Sequence, residues 1–171
     1  MKTVVKIPKE RMSSVLGKNR ETLKKIERLA RVNLKKDENS IVIEGESLSV
    51  WKTKKILKAI ARGFNAETAL KLLNEENILK VIHLKEHVSG RKKIKRTKGR
   101  IIGNDGKTRR IMESLTGADI CIHGKTVSLI ANQMMIPILE RAIGMLIEGS
   151  KHGNVYKYIE KEIKSLNKGG R

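Results

Sequence analysis

Apolar and polar residues in the first half of the chain change several times between a strand-like and a helix-like period. Thr3–Pro8 alternates like a short strand, and Lys9–Leu16 is suited to one or two helical turns. A helix with apolar residues at 3.6-residue spacing is predicted from Glu21. Further strands are predicted at Arg31–Lys36 and Ile41–Ile43, on either side of a polar turn. Helices and strands are both predicted in this half, and we expect the α+β class, with strands packed on helices.

Two helices complete this first half, and the second half repeats its order. Ser47 is a suitable N-cap for a long helix, and Asn65 for a shorter one over Ala66–Leu73. The second half is predicted to contain, in order, a strand at Leu79–Val88, helices at Lys92–Ile102 and Lys107–Thr116, strands at Ala118–Ile122 and Thr126–Ala131, a helix at Gln133–Glu148, a break at Ser150–Asn154, a helix at Val155–Leu166 and a frayed basic tail at Asn167–Arg171.

A shift of 86 positions (103 − 17), with no gap, aligns the two halves. The aligned pairs include Gly17 with Gly103, Thr22 with Thr108, Glu27 with Glu113, Leu34 with Ile120 and Gly63 with Gly149. Apolar positions fall on apolar positions through a helix, two strands and a second helix. This regularity predicts two copies of one fold unit, which we assign to residues 1–76 and 77–171.

Two glycines, Gly103 and Gly106, separate the first two predicted helices of the second copy. Glycine lets backbone amides approach a bulky anion, and the helix that follows presents free N–H groups at its start. We interpret this stretch as a phosphate-contacting turn, because KH domains clamp single-stranded nucleic acid with a Gly-x-x-Gly loop. A plain helix–turn–helix is the alternative interpretation. A nucleotide-binding P-loop is excluded, since it requires a glycine where Ile101 stands.

Charge indicates the class of partner. The 171 residues include 38 Lys and Arg against 18 Asp and Glu, a formal net charge of +20. Nucleic acid is the expected polyanion, with an anionic membrane surface as the alternative. No stretch has the roughly 18 uncharged apolar residues of a spanning helix. The charged start does not resemble a secretory signal, so we expect a cytoplasmic protein. The single cysteine, Cys121, excludes an internal disulfide and a multi-cysteine zinc site.

Positive charge is concentrated just before the loop. Between Lys85 and Arg100 there are eight Lys or Arg residues and one acid, Glu86. The position beside the glycines favours RNA contact over an ordinary solvated face. The chain has four aromatic residues, which are Trp51, Phe64, Tyr156 and Tyr158. They are too few for the base-stacking platforms of RRM and OB-fold domains, so apolar packing and hydrogen bonds are expected to hold the bases.

A resemblance to a known family rests on Arg62-Gly63-Phe64 in the first copy, and in the second on Lys98-Gly99-Arg100-Ile101-Ile102-Gly103 with Gly106-Lys107-Thr108-Arg109. The sequence resembles the archaeal and eukaryotic KH proteins of small-subunit ribosome assembly, the partner-of-Nob family. The resemblance implies two tandem type I KH domains, βααββα each. It also implies binding near the 3′ end of small-subunit rRNA. The implied partners are the Nob endonuclease and translation initiation factor two alpha. We expect a monomer without a cofactor or a metal ion.

The resemblance assigns RNA contact to the loop and its flanks. Gly103 and Gly106 would bring backbone to phosphates, and the amides of 107–109 would face the same phosphates. The residues expected to contact RNA are Lys98, Arg100, Ile101, Ile102, Gly103, Asn104, Asp105, Gly106, Lys107, Thr108, Arg109, Arg110, Ile120 and Ile122. The cationic members supply charge. The four isoleucines form the two walls of a base groove or, alternatively, belong to the ordinary core.

Two residues depart from the family pattern. Asp105 places a carboxylate beside the expected phosphates, or it caps the following helix through the amides of Lys107 or Thr108. In the first copy, Arg20 stands where the second glycine is expected. The first-copy residues Gly17, Lys18, Asn19 and Arg20 are therefore assigned a secondary contact with RNA or with a protein partner.

An enzyme is the competing class of function. His83, His87, His123 and His152 are scattered, and no predicted element unites a catalytic or metal-binding set. The same charge and loop are also compatible with a DNA-binding protein and with a general KH-type accessory protein of RNA decay. From the sequence we expect Gly103→Asp combined with Gly106→Asp to leave the fold intact while weakening RNA binding about tenfold or more. We expect Arg20→Ala to change binding little.

Overall fold

The fold consists of two compact units, Met1–Leu79 and Lys80–Arg171, in a computed structural model that describes residues 1–169. Each unit has one three-stranded antiparallel sheet packed on helices. The predicted α+β class and the type I KH arrangement of each copy are therefore confirmed. The predicted boundary after residue 76 stays a prediction, and the division of the backbone falls within the strand that opens the second sheet.

The first unit has the order strand, helix, helix, strand, strand, helix, followed by a short helix. Its elements are β1 (Lys2–Lys6), α1 (Lys9–Leu16), α2 (Glu21–Ala30), β2 (Val32–Asp37), β3 (Ser40–Gly45), α3 (Ser47–Ala61) and α4 (Ala66–Ala69). The sheet order is β1-β3-β2. Ile43 of β3 lies opposite Leu34, and both are buried. Ile26 from α2 and Ile56 from α3 are also fully buried, so the apolar face of each helix belongs to the core of this unit.

The second unit repeats this order and adds a long final helix. Its elements are β4 (Asn77–His83), α5 (Arg91–Ile102), α6 (Lys107–Thr116), β5 (Asp119–His123), β6 (Thr126–Asn132), α7 (Ile136–Glu148) and α8 (His152–Gly169). The sheet order is β4-β6-β5. Ile120 lies opposite Leu129, and both are buried. Ile101, Met112 and Leu139 contribute fully buried side chains from α5, α6 and α7.

Helix starts in the first unit show one confirmed and one wrong prediction. The Asn65 side chain caps α4, accepting a hydrogen bond from the Thr68 amide at 2.8 Å. Ser47 does not cap α3, because it is the first helical residue and Glu46 occupies the cap position without a side-chain hydrogen bond. The helix predicted over Ala66–Leu73 continues after Ala69 as a 3-10 turn.

Two elements of the second unit end elsewhere than predicted. The strand predicted to reach Val88 stops at His83, because the Leu84 carbonyl accepts the Val88 amide at 2.9 Å and closes a turn. Helix α8 begins at His152, inside the predicted break, and continues to Gly169. The predicted frayed tail is therefore helical through residue 169, and its last two residues lie outside the described part of the chain.

Candidate nucleic-acid interface

The Gly-x-x-Gly loop links α5 to α6 through left-handed backbone. Gly103 has φ 75° and ψ 174°, Asp105 has φ 51° and ψ 31°, and Gly106 has φ 75° and ψ 14°. Side chains on L-residues make this region unfavourable, which is why glycines bracket the loop. The Lys107 amide donates to the Asn104 carbonyl oxygen, so it is already bonded within the loop and is not the free phosphate donor that the sequence predicts.

The two glycines of the loop are required for different reasons. A Cβ atom on Gly103 would lie 2.6 Å from the Thr108 amide nitrogen and 2.2 Å from Thr108 Oγ1. A Cβ atom on Gly106 would meet only the side chain of Arg110, at 3.1 Å, and the end of Arg109. Because a backbone atom blocks residue 103, a side chain there forces the loop to shift, which counts against the expectation that Gly103→Asp combined with Gly106→Asp leaves the fold intact. At residue 106 the nearest neighbours are the ends of flexible arginine side chains, which can move aside.

The loop of the first copy has the same backbone conformation. Gly17 has φ 69° and ψ 175°, Asn19 has φ 51° and ψ 29°, and Arg20 has φ 62° and ψ 20°. A Cβ atom on Gly17 would lie 2.9 Å from the Thr22 amide nitrogen, as on Gly103 with Thr108. Arg20 therefore does not alter the loop, although holding a non-glycine residue in this region costs about 1–2 kcal/mol. The side chains of 18–20 are exposed.

Equivalent glutamates support the next strand in both copies. Glu27 Oε1 accepts the Leu34 amide at 2.6 Å, and Glu113 Oε2 accepts the Ile120 amide at 3.5 Å. Glu113 also forms an ion pair with Arg109, with 2.7 Å between Oε1 and Nη1. Arg109, expected to contact phosphate, is thus partly engaged by its own helix. The shift of 86 positions aligns these glutamates without showing their role.

The cations expected around the loop are placed differently from one another. Arg110 lies over the loop, donating from Nη1 to the Asp105 carbonyl oxygen at 2.6 Å. Lys107 is exposed at the start of α6. Arg100 is turned away, because its guanidinium donates to the carbonyl oxygens of Leu146, at 3.2 Å, and Ser150. Arg100 thus satisfies carbonyl groups at the end of α7, and its assignment to phosphate stays a prediction.

Asp105 does not act as the predicted helix cap. The N-cap position of α6 is Gly106, which has no side chain, and no side-chain hydrogen bond is formed there. Asp105 contributes its backbone carbonyl to Arg110 instead. Asp105 is exposed, and its backbone contact with Arg110 brings a cation to the same loop.

Helix α8 fastens both helices that flank the loop. The Tyr156 hydroxyl donates to Thr108 Oγ1 at 3.2 Å, and His152 Nε2 lies 2.9 Å from the Arg100 carbonyl oxygen. Thr108 is 3% exposed, so its side chain is buried, and the contact expected of its backbone amide with phosphate stays a prediction. The threonine holds the start of α6 against Gly103 and α8. No feature of the local sequence pattern indicates that α8 forms these hydrogen bonds to α5 and α6.

A cleft of about 470 Å³ runs along one face of α5, and we call it the α5 cleft. Its lining residues are Arg91, Ile94, Lys95, Lys98, Gly99, Ile102, Gly124 and Lys125. The α5 members recur three and four residues apart, so they share one helix face. The last two form the turn between β5 and β6. Four cationic side chains and two isoleucines line the cleft, with no acidic residue, which suits a polyanion that carries flat aromatic bases.

The isoleucines predicted to wall a groove are divided between the core and the cleft. Ile102 lines the α5 cleft, as expected. Ile101 is completely buried and Ile120 is 3% exposed, so both belong to the core, and their assignment to RNA contact is wrong. Ile122 is half-buried on β5 and does not line the α5 cleft. One side of the cleft is instead the two-residue turn Gly124–Lys125.

Gly99 has no packing role in α5. No atom of the described residues outside the local helix backbone lies within 4 Å of the position its Cβ would take. A glycine inside a helix costs about 1 kcal/mol relative to alanine. Gly99 faces the α5 cleft, where a bare backbone allows a ligand to approach closely. Sequence reasoning favoured RNA contact for the cations of this stretch, which include Arg91 and Lys95, but it missed Ile94, Gly99, Gly124 and Lys125. Ile94 and Gly99 share the helical spacing of Lys98 and Ile102, and that spacing was the available signal.

Comparison with known proteins begins with two family models. A model described as a eukaryotic type KH-domain (KH-domain type I) matches residues 78–164, and one described as a KH domain matches residues 2–59. The KH domain-containing protein MJ0443 of Methanocaldococcus jannaschii is 40% identical over 165 residues, which cover 93% of this chain and 73% of that protein.

Two further similarities identify the family. The pre-rRNA-processing protein pno1 of Aspergillus fumigatus is 29% identical over 117 residues, covering 66% of this chain and 46% of that protein. The crystal structure of the a/eIF2alpha-aDim2p-rRNA complex from Pyrococcus horikoshii OT3 contains a chain with a TM-score of 0.89 and 38% identity, over 96% of this chain and 95% of that one. This chain belongs to the tandem KH-domain family of Pno1 and Dim2p. Membership confirms the family predicted from the loop motif.

Neither a membrane-spanning helix nor a metal-binding cluster is found in the described part of this Pno1/Dim2p-family protein. Within residues 1–169, no helix combines the length and the apolar character that a membrane crossing requires. No group of three or more His, Cys, Asp or Glu residues in the same range is placed to hold a metal ion.

Proposed function

We propose that this KH protein binds single-stranded RNA without catalysing a reaction and acts in small-ribosomal-subunit assembly, near the 3′ end of the small-subunit rRNA. The α5 cleft carries this proposal. It opens next to the Gly-x-x-Gly loop, is lined by cations without an acid, and leaves the backbone of Gly99 uncovered. The names of the relatives, a pre-rRNA-processing protein and a chain of an rRNA complex, support the same class of ligand.

Phosphates are expected to bind at the outside of the loop. Movable arginine side chains lie near the Gly106 backbone there, and the guanidinium of Arg110 is held against the Asp105 carbonyl oxygen. Lys107 and Lys98 add exposed or half-exposed charge on the two sides. Each cation that neutralises a phosphate releases condensed counterions, so affinity falls steeply with salt.

Bases are expected to lie in the α5 cleft, against apolar side chains. Ile94 and Ile102 supply that surface, and Gly99 lets a flat ring approach the helix backbone. None of the four aromatic residues lines the cleft. Stacking on aromatic rings is therefore replaced by aliphatic packing and hydrogen bonds to exposed backbone.

The proposed RNA contacts in the second unit are the predicted residues at the loop and along its flanks that are not buried, apart from Arg100, whose guanidinium is bonded at the end of α7. They are Lys98, Ile102, Gly103, Asn104, Asp105, Gly106, Lys107, Arg109, Arg110 and Ile122. Residues 17–20 of the first unit are proposed as a secondary contact with RNA or with a protein, because their loop has the same backbone and exposed cations.

The proposed protein partners are the Nob endonuclease, recruited to the rRNA 3′ end, and translation initiation factor two alpha. The a/eIF2alpha-aDim2p-rRNA complex from Pyrococcus horikoshii OT3 supports the second of these. We propose that the chain acts as a monomer in the cytoplasm and leaves cleavage of the RNA to its partner. A role as recruiter requires binding to RNA, not a catalytic constellation on this chain.

A binding series at several salt concentrations tests the proposal. The ligands are single-stranded RNA with the small-subunit 3′-terminal sequence, a scrambled RNA of the same length, duplex DNA and vesicles of anionic lipid. We expect the 3′-terminal RNA to bind best and the scrambled RNA more weakly. Equal affinity for both RNAs would leave only a general KH-type RNA binder, and preference for duplex DNA or vesicles would overturn RNA binding itself. Crosslinking to cellular RNA then identifies the bound site.

A further inference from the structure

A second cleft continues from the α5 cleft toward the start of the helix. It has a volume of about 360 Å³. Its lining residues are Lys85, Val88, Ser89, Gly90, Arg91, Ile94 and Lys125. Arg91, Ile94 and Lys125 also line the α5 cleft, so the two are parts of one groove. We call this second cleft the far cleft.

The groove extends along the whole of α5. This helix has 12 residues, which corresponds to about 18 Å at 1.5 Å per residue. The Gly-x-x-Gly loop lies at its C-terminal end, and the far cleft lies at its N-terminal end. A KH loop clamps about four backbone nucleotides. The far cleft includes Lys85 and residues 88–90, which precede the helix, so a strand that follows the groove past Gly90 reaches surface beyond those nucleotides.

Backbone hydrogen bonds fix the walls of the far cleft. The Leu84 amide donates to the Lys125 carbonyl oxygen at 2.9 Å, which ties the end of β4 to the β5–β6 turn. The amides of His87 and Val88 both donate to the Leu84 carbonyl oxygen, at 3.1 Å and 2.9 Å. These bonds hold the segment before α5 in a compact turn, so the far cleft is a preformed surface.

The chemistry of the far cleft matches that of the α5 cleft. Lys85, Arg91 and Lys125 are exposed cations that form no ion pair within residues 1–169. Val88 and Ile94 provide apolar surface between them, and no acidic residue lines the cleft. Phosphates with bases fit this combination better than an acidic peptide does, because the apolar surface is continuous with the proposed base groove.

We propose that the far cleft binds additional nucleotides of the same RNA strand, beyond those clamped by the Gly-x-x-Gly loop. Lys85 and Lys125 contact phosphates there, and Val88 packs against a base. This inference rests on the proposed RNA-binding function and deepens it. It makes the length of the bound strand, as well as its sequence, a property of the second unit.

The test combines RNA length with charge reversal in the full chain. Binding of a tetranucleotide and of a decanucleotide is measured for wild type, Lys85→Glu, Lys98→Glu and the control Lys93→Glu. Lys93 is an exposed residue of the same helix that lines neither cleft, and it undergoes the same charge change. Thermal unfolding of each variant checks that the fold is retained.

We expect Lys85→Glu to weaken decanucleotide binding about fivefold or more relative to Lys93→Glu, and to match that control for the tetranucleotide. Lys98→Glu should weaken binding of both RNAs. Two results would overturn the far cleft while leaving RNA binding in place. In the first, Lys85→Glu weakens decanucleotide binding no more than Lys93→Glu does. In the second, Lys85→Glu weakens binding of both RNA lengths by the same factor. Absence of RNA binding by wild type would instead overturn the proposed function, and the far cleft with it.

Discussion

Gly103 packs directly against Thr108, with 2.6 Å between the Thr108 amide nitrogen and the place a Cβ atom on residue 103 would take. Thr108 is buried in turn and accepts the hydroxyl of Tyr156 at 3.2 Å. The first glycine of the loop is therefore a requirement of packing. Gly106 faces flexible arginine side chains, so the space beside its backbone is available to a ligand.

Changing the second glycine should therefore separate binding from folding. In Gly106→Asp the new side chain occupies the outer surface of the loop and brings a negative charge to the phosphates. We expect single-stranded RNA affinity to fall about tenfold or more, while the left-handed backbone costs about 1–2 kcal/mol of stability. RNA titration and urea unfolding measure the two effects.

The matched control is Gly103→Ala, which adds no charge. Its Cβ atom meets the Thr108 backbone, so we expect a loss of about 1–3 kcal/mol in the free energy of unfolding of the second unit. If Gly103→Ala were as stable as wild type, or Gly106→Asp bound RNA normally, the separate roles of the two glycines would be wrong.

In the first copy, Arg20 can be replaced by the glycine that the second copy has at the equivalent position. Its left-handed conformation is unfavourable for a side chain, so Arg20→Gly should raise the free energy of unfolding by about 0.5–1 kcal/mol after the entropy cost of glycine. Arg20→Ala keeps a Cβ atom and should give no such gain, and we expect it to change RNA affinity little. An RNA loss from Arg20→Ala as large as that from Gly106→Asp would contradict a secondary role for the first loop.

Arg100 and Lys98 stand two residues apart on α5 and should respond oppositely to substitution. Arg100→Ala removes the hydrogen bonds to Leu146 and Ser150, so stability should fall by about 1–3 kcal/mol. The slope of log affinity against log salt should stay unchanged. Lys98→Ala should lower that slope by about 0.7, the value for one phosphate of a single strand. A reduced slope for Arg100→Ala would support its assignment to RNA.

Replacing Gly99 should raise the stability of the protein and weaken its binding to RNA. Replacing it with leucine removes a helix-interior glycine, and we expect the free energy of unfolding to rise by about 0.5–1 kcal/mol. The new side chain projects toward the α5 cleft, so RNA affinity should fall about tenfold. Gly144→Ala in α7 is the comparison, since a Cβ atom there also meets open space but not the cleft. It should stabilise without weakening RNA binding, and unchanged affinity in Gly99→Leu would remove Gly99 from the interface.

The sequence repeat predicted much of the fold because the repeat consists of short-range spacings of apolar residues and glycines. Apolar spacing identified the helices and strands, and the shift that aligns Gly17 with Gly103 corresponds to loops with nearly the same dihedral angles. Element ends were less predictable. Ser47 has the composition of a cap, yet Glu46 precedes the helix, and α8 begins at His152 because packing against α5 and α6 extends it.

The sequence by itself determined the two copies, the Gly-x-x-Gly loop and the excess of positive charge, since these depend on composition and short-range spacing. Only the tertiary structure decided which neighbours of the loop reach a ligand. Successive helix residues point about 100° apart, so Ile101 enters the core, Ile102 faces the cleft, and Arg100 reaches the end of α7. Lys125, distant along the chain, lines the cleft because the β5–β6 turn is hydrogen-bonded to the end of β4.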